Sequence, residues 1–155
     1  VVMTSYTATD HTEIAQLVTA FFRALDERPV AGDPTRPFFT EDARTVTPLG
    51  ASEGADAIGA DTRVALERYA RTRHIATDVR VAAADGPDRA TARWNALMTH
   101  IHHESTLRER GEGADPEFVV AGSYEAELLR TAAGWRISRM TIEVEWTTGQ
   151  PPALV

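Results

Sequence analysis

The sequence contains no cysteine and no lysine, and all 16 of its basic residues are arginine. Without cysteine there can be no disulfide, no thiol nucleophile and no thiolate metal site. Without lysine there can be no Schiff-base chemistry, no covalently held pyridoxal phosphate and no lysine-dependent phosphate loop. No apolar run approaches the ~18 residues that a membrane-spanning helix needs. The opening stretch, Val1 to Asp10, is polar and lacks the basic-then-apolar order of a secretory leader. Positive charge is also scarce relative to negative, giving a formal net charge of -7. Such a surface repels phosphate backbones and anionic membranes, which argues against nucleic acid and lipid as partners. These absences predict a soluble, cytoplasmic protein.

What is present suffices for a packed core. The chain has 155 residues, of which 43% are hydrophobic. That predicts one domain, 1–155, with its core over about 10–149 and a frayed tail over 147–155 containing Pro151 and Pro152. Asp10 is read as a helix cap, with Glu13 three residues later completing a capping box. Ile14, Leu17, Val18, Phe21, Phe22 and Leu25 recur at helical spacing, and Pro29 stops that helix. Gly32 to Pro34 reads as a turn. Thr35 to Phe39 reads as a short helix whose Phe38 and Phe39 plug the core, and Thr45 to Thr47 as a short strand. Ser52 to Gly54 introduces a third helix, ending by Thr72, with Ile58, Thr62, Ala65, Leu66 and Tyr69 inward.

The period then changes from helical to alternating. Ile75, Thr77, Val79 and Val81 share one side of a strand, and His74, Ala76, Asp78 and Arg80 the other. Ala90 to His103 is a long strand whose one face reads Ala90, Ala92, Trp94, Ala96, Met98, His100, His102. A charged segment, Glu104 to Pro116, is read as a lid or a solvated hairpin tip. Phe118, Val120, Gly122, Tyr124, Ala126 and Leu128 form the apolar face of the next strand, and Trp135 to Trp146 the last. Helices first and long antiparallel strands after predict an α+β fold, with helices packed on a strongly curved sheet that encloses a cavity as a cone-shaped barrel.

That order, with Gly122-x-Tyr124 and Gly134-Trp135-Arg136-Ile137 near the end, resembles the nuclear transport factor 2-like superfamily. Within it the chain is most similar to the SnoaL-like branch, which includes polyketide cyclases and scytalone dehydratase. The resemblance covers roughly Asp10 to Gly149. Scytalone dehydratase-like enzymes place an aspartate at the end of the first helix, a histidine early in the first long strand and another late in the next. Asp26, His74 and His100 occupy those places. The family's tyrosine beside the aspartate is Leu25 here, and the tyrosine of the short early strand is missing around Thr45 to Thr47. Those tyrosines hold a water that helps the leaving group, so a different donor or a different substrate is implied.

The residues allow the following chemistry. A neutral imidazole at His100, on the apolar face, can accept a proton near pH 7, although a core histidine bonded to a backbone carbonyl fits the same pattern. His74 can join it, or can simply sit at the end of the preceding helix and complement its dipole. Asp26 can fix one imidazole's tautomer, or be an exposed acid in a frayed turn. Tyr124 can donate to a substrate oxyanion or merely reach solvent. Phe22, Tyr69, Trp94, Ala96, Met98 and Gly122 are expected to line the hollow. His100-x-His102 lacks a third ligand at recognisable spacing, so no metal is expected. Arg93-Trp94-Asn95 lacks the acid of the Arg-x-Asp motif that epoxide hydrolases of this fold use.

The resulting expectation is a cofactor-independent dehydratase, isomerase or cyclase acting on a hydrophobic, oxygenated small molecule. His74 and His100 would transfer protons, one as base and the other, protonated, as acid. Asp26 would orient one of them and Tyr124 would polarise an oxygen. A non-catalytic binding or assembly module of the same shape is the alternative. A homodimer is expected in either case, because Leu97, Ile101, Val119, Ala121 and Leu129 on the outer sheet face want cover.

Overall fold

A computed structural model describes residues 5–28 and 32–153. Helix α1 spans Ala8–Glu27, α2 Ala55–Glu67 and α3 Glu104–Arg110, and a single 3-10 turn covers Arg36–Phe38. The strands are β1 (Phe39–Thr47), β2 (Gly50–Glu53), β3 (Tyr69–Ala83), β4 (Arg89–His102), β5 (Glu117–Thr131) and β6 (Gly134–Gly149). They form one sheet in the order β2-β1-β6-β5-β4-β3. All neighbours are antiparallel except β1 and β6, which run parallel. The fold is therefore α+β as expected, but the curved sheet stays open, with β2 and β3 as its edges.

The first helix begins earlier than its sequence suggested. Thr7, not Asp10, is the N-cap; its hydroxyl accepts from the Asp10 backbone while the Asp10 carboxylate accepts from the Thr7 backbone. Asp10 thus fills the third helical position of the box, where a carboxylate also meets the positive end of the helix dipole. The predicted stripe is real: Ile14, Val18, Phe21, Phe22 and Leu25 are buried and share one core with Trp94, Tyr124, Ala126, Leu128, Ile137 and others. The helix ends at Glu27, and Arg28 caps it in the left-handed region at φ 44°. Pro29 lies outside the described residues.

Several other elements differ from expectation. The strand foreseen at Thr45 to Thr47 is nine residues long and starts at Phe39, and Gly50–Glu53 pairs with it as an edge hairpin before Gly54 opens α2 where a helix start was expected. Ala65 faces solvent, and Tyr69 opens β3 instead of closing α2. In β3 a bulge between Thr77 and Arg80, with Asp78 at φ 51°, inverts the parity of the strand. Thr72, His74 and Ala76 face inward before it, Val79 and Val81 after it, and Ile75 is left exposed. The segment after His103 carries the short helix α3. Strand β6 continues to Gly149, into the stretch expected to fray, and residues 154 and 155 lie outside the described residues. The Gln150 amide donates to the Glu117 carbonyl, and Arg110 donates to the Pro151 carbonyl at 2.7 Å. No helix among the described residues is long and apolar enough to cross a membrane.

Candidate functional site

Asp26 stands in the last turn of α1, one turn after Phe22, and looks across at β3. The bulge lies beyond Ala76, so the inward parity of Thr72 and His74 is intact there. Three donors converge on the Asp26 carboxylate. His74 Nδ1 donates to Oδ1 at 2.6 Å, the His74 backbone amide to Oδ2 at 2.9 Å, and Thr72 Oγ1 to Oδ1 at 3.0 Å. Burial pushes the Asp26 pKa up, but the hydrogen bonds from His74 and Thr72 outweigh it and hold the group below its ordinary value. An ionised Asp26 fixes the proton of His74 on Nδ1 and leaves the Nε2 lone pair as the reactive position. Only 6% of the His74 side chain and 10% of that of Asp26 is exposed.

His100 lies on the neighbouring strand β4. Its register partner is Thr72 and that of His74 is Met98, so the two imidazoles are diagonal neighbours. Their ring centroids are 6.0 Å apart and nearly perpendicular, at 83°. His100 Nδ1 donates to the Phe118 carbonyl of β5 at 2.9 Å, which again leaves Nε2 unprotonated. Burial drives its pKa down to about 4, against a smaller upward pull from that hydrogen bond. At neutral pH His100 is an acceptor. The protonated acid foreseen for one member of the pair is therefore not His100 in its resting state.

The three residues Asp26, His74 and His100 thus share one corner of the molecule. Other predicted residues stand elsewhere or do something different. Tyr124 is buried, donates to Met98 Sδ at 3.2 Å and stacks on Trp94 at 5.1 Å and 7°. Burial raises its phenol pKa, so it stays protonated, with its hydrogen committed to sulfur. Trp94, Met98 and Ala96 are packed within the core rather than bordering a hollow, whereas Phe22 belongs to the core and also reaches the cleft described below. Gly122 serves the backbone: a Cβ there would stand 2.1 Å from the Glu143 carbonyl oxygen, beside the register shift of β5 on β6. Tyr69 is buried, with its ring 4.4 Å from that of His100 and 5.6 Å from that of His102. Burial pushes its pKa up to about 12, so it too remains a donor. His102 Nε2 donates to the Gln150 carbonyl at 2.7 Å, so this histidine ties β4 to the tail. Among the described residues no three His, Asp or Glu side chains are grouped to hold a metal ion.

Beside the Asp26–His74 pair a cleft of about 350 Å³ opens between α1 and β3. Phe22, Asp26, His74 and Ala76 border it, and the more exposed Thr19, Arg23, Glu27 and Arg73 complete its lining. It sits near the lower end of small-molecule pockets and is more polar than the hollow expected from sequence.

One residue of this corner escaped the sequence reading. Arg28 turns back from the end of α1, and its Nη1 donates to the Tyr69 carbonyl at 2.7 Å. Its Nε and Nη2 are buried and have no hydrogen-bond partner. Such orphaned donors cost about 1–3 kcal/mol each, more when charged. Burial lowers the Arg28 pKa, with Asp26 and Glu67 pulling the other way, and the guanidinium is one of the charges that depress His100. Its only signal in sequence is an arginine squeezed between the last helical residues and Pro29.

The profile of the SnoaL-like domain matches residues 6–141. The chain belongs to the SnoaL-like family. Its solved structural neighbours include a nuclear transport factor 2-like superfamily protein from Salmonella enterica serovar Typhimurium, at TM-score 0.73 and 15% identity over 92% of this chain and 95% of that one. A candidate scytalone dehydratase from Novosphingobium aromaticivorans superposes at TM-score 0.73 and 16% identity over 94% of this chain and 90% of that one. A type 2 hexachlorocyclohexane dehydrochlorinase, LinA, superposes at TM-score 0.71 and 16% identity, covering 94% of each chain. At these identities the likeness establishes the fold. No curated protein sequence matches this SnoaL-like chain.

Proposed function

We propose that this SnoaL-like protein is a cofactor-independent lyase or isomerase that removes a proton from carbon in a small hydrophobic molecule bound at the α1–β3 cleft. The observation that carries the reading is the Asp26–His74 pair: a 2.6 Å hydrogen bond holds the proton on Nδ1 and bares Nε2 as a base beside the cleft. His74 abstracts the proton, and the ionised Asp26 stabilises the imidazolium that forms, as a carboxylate does for a triad histidine. His100 does not itself border the cleft; neutral at rest and 6.0 Å behind His74, it accepts a hydrogen bond from a substrate hydroxyl that reaches past that ring. Tyr124 stands behind the Trp94 and Met98 wall and takes a packing role in this scheme. That two neighbours by fold are a candidate scytalone dehydratase and a dehydrochlorinase accords with an elimination. A leaving group that departs as an anion needs no acid, and a hydroxyl departs as water by taking back the proton that His74 has just received, so either route suits a site whose second histidine rests unprotonated.

A test needs a soluble aryl β-hydroxyketone, whose dehydration gives a conjugated enone absorbing in the near ultraviolet. Turnover by the wild type with loss of ~10²–10⁴ in His74→Ala and Asp26→Asn is the expected result. Turnover equal in wild type and both variants would remove the reading.

The second reading is a non-catalytic ligand-binding module, favoured by the absence of both leaving-group tyrosines and by the filled core behind the site. Ligand binding without turnover, insensitive to His74→Ala, marks it. In both readings a second copy covers the outer sheet face. Ile75, Leu97, Ala121 and Trp146 line up across β3, β4, β5 and β6, and Ile75, Leu97 and Trp146 are exposed. A cytoplasmic location belongs to the same proposal, and cell fractionation tests it.

A further inference from the structure

Arg28 has five N–H donors in a rigid planar fork, and the structure uses them unevenly. Nη1 is fixed on the Tyr69 carbonyl at 2.7 Å, with the Ala70 carbonyl further off at 3.5 Å. Nε and Nη2 face no acceptor although both are buried. Those two atoms form the side-on edge of the guanidinium, whose parallel N–H bonds match the two oxygens of a carboxylate. Tyr69 carries the position onward, since its ring lies 4.4 Å from that of His100. The anchored nitrogen leaves the group little freedom to turn its enclosed, unpaired edge towards bulk water.

We propose that Arg28 is a specificity-determining residue that chelates a substrate carboxylate through Nε and Nη2, so that the natural substrate is an organic acid. Arg28 lies behind the cleft and does not border it, so the acid enters past His74 with its carboxylate foremost, and its apolar body stays beside His74, where the reactive C–H bond is met. This rests on the site assigned above but not on its chemistry, because binding alone satisfies the fork. Arg23 and Arg73 at the cleft draw the same anion from solution, against the overall negative charge of the chain.

The probe is sodium benzoate, with benzamide as its neutral isostere, titrated into the intact protein and followed by the arginine ¹⁵Nε–H resonances. The Arg28 signal is assigned by its loss in Arg28→Lys. Saturable binding of benzoate is expected, at least tenfold tighter than that of benzamide, with the Arg28 signal moving only for benzoate. Arg28→Lys, which keeps the charge but not the fork, and Arg28→Met should each lose at least tenfold in benzoate affinity. Equal affinity in wild type and Arg28→Lys, or a wild type that treats benzoate and benzamide alike, overturns the proposal. Should either variant unfold, the contrast between benzoate and benzamide in the wild-type arginine resonances decides the question without it. His74→Ala separates the two ideas. His74→Ala should keep its benzoate affinity while losing turnover, whereas a wild type that binds benzoate but turns over nothing sinks the lyase reading and leaves the acid-binding fork. A wild type that dehydrates neutral ketones, with Arg28→Met as fast and no benzoate response, does the reverse.

Discussion

The two ends of α1 carry one aspartate each, buried at the first and half-buried at the second, and each has an arginine beside it. At the first end Asp10 is saturated. It accepts from the Thr7 backbone and hydroxyl, from Arg130 Nη1 at 2.6 Å and Nη2 at 3.1 Å, and from Trp135 Nε1 at 3.0 Å. Arg130 is engaged as fully, with Nε on Asp88, Nη2 also on the Pro87 carbonyl, and its guanidinium carbon 4.6 Å from the centre of the Trp135 ring. At the second end Asp26 is satisfied just as well, but by a histidine whose other nitrogen is free, and Arg28 keeps two buried donors idle. A closed network holds a helix to a sheet. A network with one free lone pair and one open fork costs stability and has chemistry to offer.

The largest expected contrast is in catalysis. Asp26→Asn should lower turnover of any substrate by ~10²–10⁴ while leaving the fold standing. Asp10→Asn should leave turnover of the folded protein unchanged and lower its melting temperature more than Asp26→Asn does. Thermal melts and initial rates on both variants decide it. For scale, Leu128→Ala in the shared core, at 1% exposure, should cost about 2–5 kcal/mol by denaturant titration.

Acid should separate the two ends next. The Asp10 pKa is held well below its ordinary value, chiefly by the hydrogen bond from Arg130. A group depressed in the folded state contributes stability above its unfolded pKa of ~3.9 and loses it as pH falls below that. His100 acts in a different window. Its folded pKa of about 4 lies below the unfolded ~6.5, so the unfolded chain takes up the proton first and stability declines as pH drops from ~6.5 towards 4. His100→Gln should flatten that upper part of the acid limb, and Asp10→Asn the lower part. An imidazole resonance for His100 that titrates near 6.5 would contradict its assignment as a resting acceptor.

The smallest effect concerns the outer face, which both ends share. The proposed dimer should show in sedimentation of the wild type, and Trp146→Ser with Leu97→Ser should bring it to monomer with the Asp26–His74 hydrogen bond untouched. A dimer that persists would place the contact elsewhere.

The sequence revealed most where one face is buried and the other wet. Strands β4 and β5 alternate cleanly, and the stripe of α1 repeats without a gap, so their faces were legible, although the cap of α1 was read three residues late. Strand β2, Gly-Ala-Ser-Glu, is a largely exposed edge strand and carries no pattern to read. The bulge at Asp78 adds a residue, and a period of two cannot announce where it will slip. Asp26, His74 and His100 were found because residues at matching positions in a family of similar shape directed attention to them. Their tautomers were not legible, since the acceptors are a carboxylate 48 positions away and a main-chain carbonyl 18 away. Arg28 was missed because an arginine at the end of a helix is ordinarily solvated, and only the packing shows otherwise.

The Phe118 carbonyl that takes the Nδ1 proton of His100 belongs to the peptide chain itself. No single codon change can delete it, whereas the acid serving His74 can be exchanged at will. An engineer wishing to invert the tautomer of His100 must therefore bend the sheet or replace the ring, while that of His74 can be retuned one atom at a time. The two imidazoles differ in how freely they can be redesigned.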